Sequence, residues 1–247
     1  MNTSFLTETR HRPWPLPKEP YVIEMGWRHL LFAHWPIPPD VMRAHVPPEL
    51  ELDLYDGQAW LGVVPFLMTD VRARLSPITM EFPELNVRTY VKAGGKHGVF
   101  FFSLDAASWL TVRAARAAFQ LPYFHANMTY QQRPDGTTSY TSVRRTRFKH
   151  AEAHFRATYA PTGPVIEAAA GSLEHWLTER YCLFTAQSGR VCSSDVHHLK
   201  WPLQPATAQL DRNTMTEVFG LKLPVEEPLL HYAEHLDVVA WRPRKVK

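Results

Sequence analysis

The chain has 247 residues, 45% of them hydrophobic and 21% charged, which is enough apolar side chain for one large core or two modest ones and excludes the disordered and disulfide-scaffold classes. Its 19 arginines and 8 lysines face 24 acids, for a net charge of only +3, too small an excess for a dedicated nucleic-acid binder. Two cysteines, Cys182 and Cys192, make no framework of the secreted kind; reduced thiols on neighbouring strands and a cytoplasmic location are expected. No window approaches the roughly 18 apolar residues of a membrane span, so no membrane partner is expected.

Taken in order, residues 1–20 form a proline-rich segment without a hydrophobic signal core, expected as a surface arm before a single domain over 21–247. The run from His29 to Trp35 predicts a buried strand, stopped by Pro36, Pro38 and Pro39 before a short helix from Asp40 to His45. Leu50 to Leu54 and Gln58 to Met68 predict a hairpin about Asp56-Gly57. From Glu84 to Val91 the period is two: Leu85, Val87 and Val91 share an apolar face, and Glu84, Asn86, Arg88 and Tyr90 the opposite one. A glycine-rich turn leads into an apolar strand, Val99 to Leu104. Asp105 is then placed to cap an alanine-rich helix ending near Gln120 and Pro122.

Beyond Pro122, the runs Tyr123 to Gln131, Thr137 to Phe148 and Ala151 to Tyr159 predict an antiparallel meander. Ser172 precedes a one-sided helix carrying Leu173, Trp176 and Leu177. Strands Tyr181 to Ala186 and Val191 to His198 flank a turn at Ser188-Gly189, and a last strand spans Leu229 to Trp241. Hairpins outnumber crossovers, and 21 prolines against 11 glycines speak against a helical bundle, so the expected class is α+β with a mainly antiparallel sheet.

The 13 histidines contain no H-E-x-x-H, the cysteines form no C-x-x-C pair, and His197 and His198 on one strand point to opposite faces, so neither a metal nor a cofactor is expected. G-x-S-x-G, P-loop and G-x-G-x-x-G patterns are absent as well. The basic run Arg144 to Lys149 divides its charges between two strand faces and is expected as a solvated edge. His34 is expected as a core histidine, Arg180 as a helix C-cap and Trp201 as core. What remains is the polar row Glu84, Asn86, Arg88. It meets bulk water on a sheet surface, or it lines a cavity walled by the apolar strands, where a carboxylate and a guanidinium would orient an anionic or carbonyl-bearing small molecule.

Several stretches carry a family resemblance: LLFAHWPIPPDVMRAHVPPELELDLYDGQAWLGVVPF, FPELNVRTYVKAGGKHGVFFFSLDA, LPYFHA, GSLEHWLTERYCLF and HHLKWPLQ. Together they closely resemble the YqjF-like family, domain of unknown function 2071, from about Trp27 to Val239. The resemblance implies membership of the acetoacetate decarboxylase-like superfamily, hence a closed antiparallel β-barrel or cone with peripheral helices and a hydrophobic interior cavity. It also implies that Arg28 falls at a cavity arginine and Glu84 at a catalytic-site glutamate. The decarboxylase's Schiff-base lysine follows a proline; here Pro122 is followed by Tyr123 and Phe124, so Schiff-base decarboxylation is not expected.

The candidate ligand-binding residues are therefore Arg28, Glu84, Asn86, Arg88, Tyr123, His125 and His198. Glu84 and Tyr123 are the candidates for catalysis, with Tyr123 or His125 as a proton relay. Three functions stand open: a small-molecule binding protein without the decarboxylase chemistry, an enzyme using non-covalent acid–base chemistry, and a structural or protein-interaction domain. The first two require Arg28, Glu84 and Tyr123 to converge on one concavity. A homodimer is expected from base rates alone.

Overall fold

A computed structural model describes residues 3–108, 121–144, 152–187 and 190–246. Its strands are β1 (Ile23–Ile37), β2 (Glu51–Leu52), β3 (Ala59–Ala73), β4 (Met80–Ala93), β5 (Lys96–Ala106), β6 (Tyr123–His125), β7 (Asn127–Gln132), β8 (Thr138–Arg144), β9 (Ala153–Pro161), β10 (Cys182–Gln187), β11 (Arg190–His197), β12 (Leu203–Asn213), β13 (Leu229–Ala240) and β14 (Arg244–Lys245). Two short helices, α1 (Pro39–Arg43) and α2 (Leu173–Thr178), lie between them.

Strand pairing runs β11–β10–β5–β4–β3–β1–β13 and returns to β11 through Val196 opposite Ala240 and His197 opposite Val239. The path is a closed ring of mainly antiparallel strands, which removes the sheet edges. One seam is parallel, β10 on β5. There the backbones approach so closely that a Cβ on Gly98 would lie 2.3 Å from the Cys182 carbonyl oxygen, so only glycine fits.

Strand β13 is also the fork of the sheet. Its last residues close the ring on β11, while Ala233, Tyr232 and His231 pair with Leu203, Gln204 and Pro205 of β12. From β12 the sheet continues through β9 and β8 to β7. This second layer covers the outer face of the ring: Tyr140 and Phe155 belong to one buried cluster with Leu31, Trp35, Leu85 and Val87. The Tyr140 hydroxyl donates to the Glu84 carbonyl across 2.7 Å. On the same strands the opposite parity, Leu30, Phe32, Phe66, Phe82 and Tyr90, forms a second cluster inside the ring.

The period-two pattern of β4 therefore has two buried sides. Leu85, Val87 and Val91 lie under the second layer, and Glu84, Asn86 and Arg88 are buried as well, so the solvent-facing alternative for the polar row does not hold. The expected strands at His29 to Trp35, Val99 to Leu104 and Leu229 to Trp241 are present as parts of β1, β5 and β13. Ser172 caps α2, its hydroxyl accepting from the His175 amide. Cys182 and Cys192 lie on paired strands and form no disulfide.

Other expectations need correction. The Asp56-Gly57 turn exists, with both residues at positive φ, but the strand before it, β2, pairs with β4 rather than with β3. Tyr123 to Gln131 is not one strand: β6 pairs in parallel with β5, and β7 starts the second layer after Ala126. Asp105 is no helix cap. It lies within β5, fully buried and bonded to Arg144, so Arg144 is a core cation and not part of a solvated edge. Of the alanine-rich helix expected from Asp105 to about Gln120, Ala106 belongs to β5, and residues 109–120 lie outside the described residues, as do the remainder of the basic run from 145 and the turn at 188–189.

Strand β12 was not expected from its sequence, because Pro205 and the small or polar residues around it have low β-propensity; pairing to β13 and β9 holds it. The proline-rich segment packs down on the ring. Phe5 and Arg12 are buried, and Arg12 donates to the Val196 carbonyl.

Candidate functional site

The interior cluster leaves a cavity of about 280 Å³ inside the ring, near the lower end of the roughly 300–1,000 Å³ typical of small-molecule sites. Its walls are largely apolar, with Phe66, Met68, Phe82 and Phe101 among them. Along β4 the three inward positions Glu84, Asn86 and Arg88 all line it, the direct consequence of the two-residue period.

Tyr123 reaches the same space because β6 pairs in parallel with β5, setting Tyr123 opposite Leu104. Its hydroxyl donates to Glu84 Oε2 across 2.7 Å. Burial in an apolar wall raises the Glu84 carboxyl to about 8, and the nearby Asp105 adds to the rise while the Tyr123 hydrogen bond opposes it. Near neutral pH Glu84 is therefore largely protonated, able to donate as well as to accept a proton. Burial likewise pushes the Tyr123 phenol well up, so it serves as a neutral donor. Asp105 faces the second layer, where Arg144 pairs with it at 3.1 Å.

The cavity has two ends. Met80 and Pro243 lie toward the end where β4 begins and β13 finishes; Met80 is 39% exposed. Arg88, Thr178 and Arg180 lie toward the other end, which α2 closes. Trp176 of α2 packs on Tyr90, with ring centroids 4.7 Å apart.

Two expected residues are elsewhere. Arg28 is exposed and does not line the cavity. Ile23, Met25 and Trp27 line the cavity, so regular alternation along β1 turns Arg28 outward. Just after it, His29 has φ of 52° and the pairing of β1 with β3 shifts between Arg28 and Ala33, an irregularity that brings Leu30 inward in place of His29. His125 is also exposed: it is the last residue of β6, opposite the last residue of β5, where the chain leaves the ring for β7. Of the trio expected to converge, Glu84 and Tyr123 do and Arg28 does not.

His198 lines the cavity, but both ring nitrogens face backbone carbonyls, Nδ1 that of Leu199 at 2.7 Å and Nε2 that of Arg180 at 3.2 Å. Its ring stacks on Tyr181, so it contributes a wall rather than a ligand atom. His34 is fully buried, with Nε2 on the Tyr90 hydroxyl at 2.7 Å and Nδ1 without a partner.

Arg180, expected as a helix C-cap, is a cavity residue as well. Arg180 does cap α2, donating to the Trp176 carbonyl at 2.6 Å. It also pairs with Asp53 at 2.5 Å and lines the cavity. The only signal for this was its place at an element end beside Tyr181.

Several lining residues hold buried polar atoms with no partner among the described residues: Trp27 Nε1, Asn86 Oδ1, Arg88 Nε, Arg180 Nη2, Thr185 Oγ1 and Trp201 Nε1. Such atoms are costly to leave unpaired, and here they surround one space. Among the described residues no lysine lines the cavity, no cluster of His, Cys, Asp and Glu is placed to hold a metal ion, and no helix is long and apolar enough to cross a membrane.

In overall fold the chain is similar to the enduracididine biosynthesis enzyme MppR, described in complex with the condensation product of pyruvate and imidazole 4-carboxaldehyde. The TM-score is 0.64 at 12% identity, covering 93% of this chain and 90% of that one. It is also similar to the acetoacetate decarboxylase of Legionella pneumophila, with a TM-score of 0.61 at 13% identity over 95% of this chain and 92% of that one. These likenesses are of fold alone. In sequence it is 44% identical to the uncharacterized protein YqjF of Bacillus subtilis (strain 168) over 233 residues, 93% of this chain and 95% of that protein. Residues 24–237 match the model of DUF2071, described as an uncharacterized conserved protein. The chain belongs to the DUF2071 family, built on an acetoacetate decarboxylase-like fold.

Proposed function

We propose that the protein binds a small carboxylate- or carbonyl-bearing molecule inside the ring, with the Glu84–Tyr123 pair as the polar handle of the site. The observation that carries this reading is the pair itself, two hydrogen-bonded and almost fully buried side chains facing an apolar cavity. A buried polar network that opens onto such a space is poised to exchange partners with a ligand. The pyruvate-derived product bound by the structurally similar MppR supports the ligand class. The lack of a lysine on the described cavity wall, together with Tyr123 after Pro122, supports binding without an iminium.

The test is a thermal-shift screen of small keto and carboxylic acids against wild type, Glu84→Gln, Tyr123→Phe and Arg28→Ala. Stabilisation that is reduced in the first two variants and retained in Arg28→Ala supports the site. An equal response in all four removes Glu84 and Tyr123 as its handles.

One observation favours a second reading, acid–base catalysis on such a molecule. Glu84 changes protonation near pH 8, close to the range in which a general acid or base is most effective. Turnover of a screening hit, abolished in Glu84→Gln, would separate catalysis from binding.

A further inference from the structure

Arg88 is a buried cation without a carboxylate. Its residue exposure is 8%, and among the described residues no Asp or Glu forms an ion pair with it. The other buried arginines differ. Arg144 has Asp105, Arg180 has Asp53, and Arg12 lies near Asp195. Arg88 is left with the ring of Phe32, 5.3 Å from its guanidinium carbon, and the nearby Tyr90, whose phenol its charge influences. A charge taken out of water without a counterion is unfavourable, and proteins generally neutralise such charges or pair them.

Arg180 lies beside it at the same closed end. Both arginines adjoin Tyr90: Arg180 is 4.9 Å from the ring, and the charges of both oppose the rise that burial causes in the Tyr90 phenol. One nitrogen on each, Arg88 Nε and Arg180 Nη2, is buried without a partner. Asp53 balances one of the two charges, so the closed end of the cavity carries a net single positive charge.

Resting on the cavity reading above, we infer that Arg88 and Arg180 form an anion subsite at the closed end, and that the ligand is an elongated apolar monoanion bound with its charged head there. The head neutralises Arg88, and the guanidinium geometry suits a carboxylate. Arg88 lies four positions after Glu84 along the strand, roughly 13 Å at about 3.3 Å per residue, so one ligand extends from the arginines past Glu84 and Tyr123. Its body lies against Phe66, Met68 and Phe82, toward Met80 at the open end. A carbonyl or hydroxyl along the body would meet the Glu84–Tyr123 pair.

The experiment measures binding of straight-chain monocarboxylates of four to twelve carbons and their matched primary amides to the full-length protein by calorimetry. The variants are Arg88→Gln, Arg88→Lys and the charge-balanced pair Arg180→Gln with Asp53→Asn. Near-ultraviolet circular dichroism confirms that each is folded. Expected results are an optimum chain length, at least about tenfold weaker binding of each amide, the worth of a charge-assisted hydrogen bond, and a similar loss of carboxylate affinity in Arg88→Gln that Arg88→Lys partly restores. Unliganded Arg88→Gln should also melt no lower than wild type, since it removes an uncompensated charge. Equal binding of acids and amides, or an unchanged affinity in Arg88→Gln, overturns the anion subsite and leaves the cavity reading standing. Failure of both series to bind wild type overturns the subsite, and the screen of the Glu84 and Tyr123 variants then decides the cavity reading separately.

Discussion

Tyr123 on β6 donates to Glu84 on β4 across 2.7 Å, although the strand β5 lies between them in the sheet. The bond spans the inside of a curved wall. It ties together two residues that are 39 positions apart and makes the protonation of one depend on the other.

The stability of the protein should carry the signature of Glu84. In the unfolded chain its carboxyl ionises near 4.5, and in the fold near 8, so between these values folding takes up a proton. The contribution of Glu84 to stability is therefore present below about 4.5 and is lost as the pH rises to about 8, at up to about 1.4 kcal/mol per pH unit. Urea denaturation at pH 5, 6, 7 and 8 should show wild type losing stability relative to Glu84→Gln as the pH rises. Asp105, raised to about 6 by burial, titrates in both proteins and, because its charge adds to the Glu84 shift, the difference between them reports Glu84 together with that coupling. Parallel profiles would show that Glu84 is ionised in the fold.

Arg144 should matter more than an exposed arginine would. Its guanidinium bonds Asp105 and the Ser103 hydroxyl, all three side chains being buried. Arg144→Met strands the Asp105 carboxylate and should cost about 3–5 kcal/mol at neutral pH. Adding Asp105→Asn should recover much of the loss. Equilibrium unfolding of the two variants checks both statements, and an Arg144→Met protein as stable as wild type would contradict the pairing.

The cysteines provide a direct reading of cavity access. Burial pushes the Cys182 thiol up to about 12, so it should resist alkylation until the protein unfolds. Cys192 is half-buried and lines the cavity. A small neutral maleimide should modify Cys192 first, as located by mass spectrometry, and any ligand that fills the cavity should slow that reaction. Modification of Cys182 before Cys192 in the folded protein would contradict this geometry.

Much of the fold was legible locally. Alternating residues along β4 announce a strand with two different faces, and the prolines around α1 and the glycines between β4 and β5 mark where elements stop. The residues of Glu84, Asn86 and Arg88 were assigned to one face, and they share one. Arg28, placed in the cavity by the family resemblance and not by alternation, faces out. Alternation along β1 breaks just after it, at His29 in a left-handed conformation, and one histidine is too weak a local signal to locate such an irregularity.

Residue order alone sets the alternation of β4, the family resemblance and the absence of a lysine directly after Pro122. Only the tertiary structure decided that the polar face of β4 looks into a closed space, that Arg28 looks away from it, and that Arg180 joins Arg88 there without a carboxylate for the latter. The physical reason is that alternation distinguishes the two sides of a strand but does not say which side encloses a cavity. That choice is made by ring closure between β11 and β13 and by the second layer covering the other face.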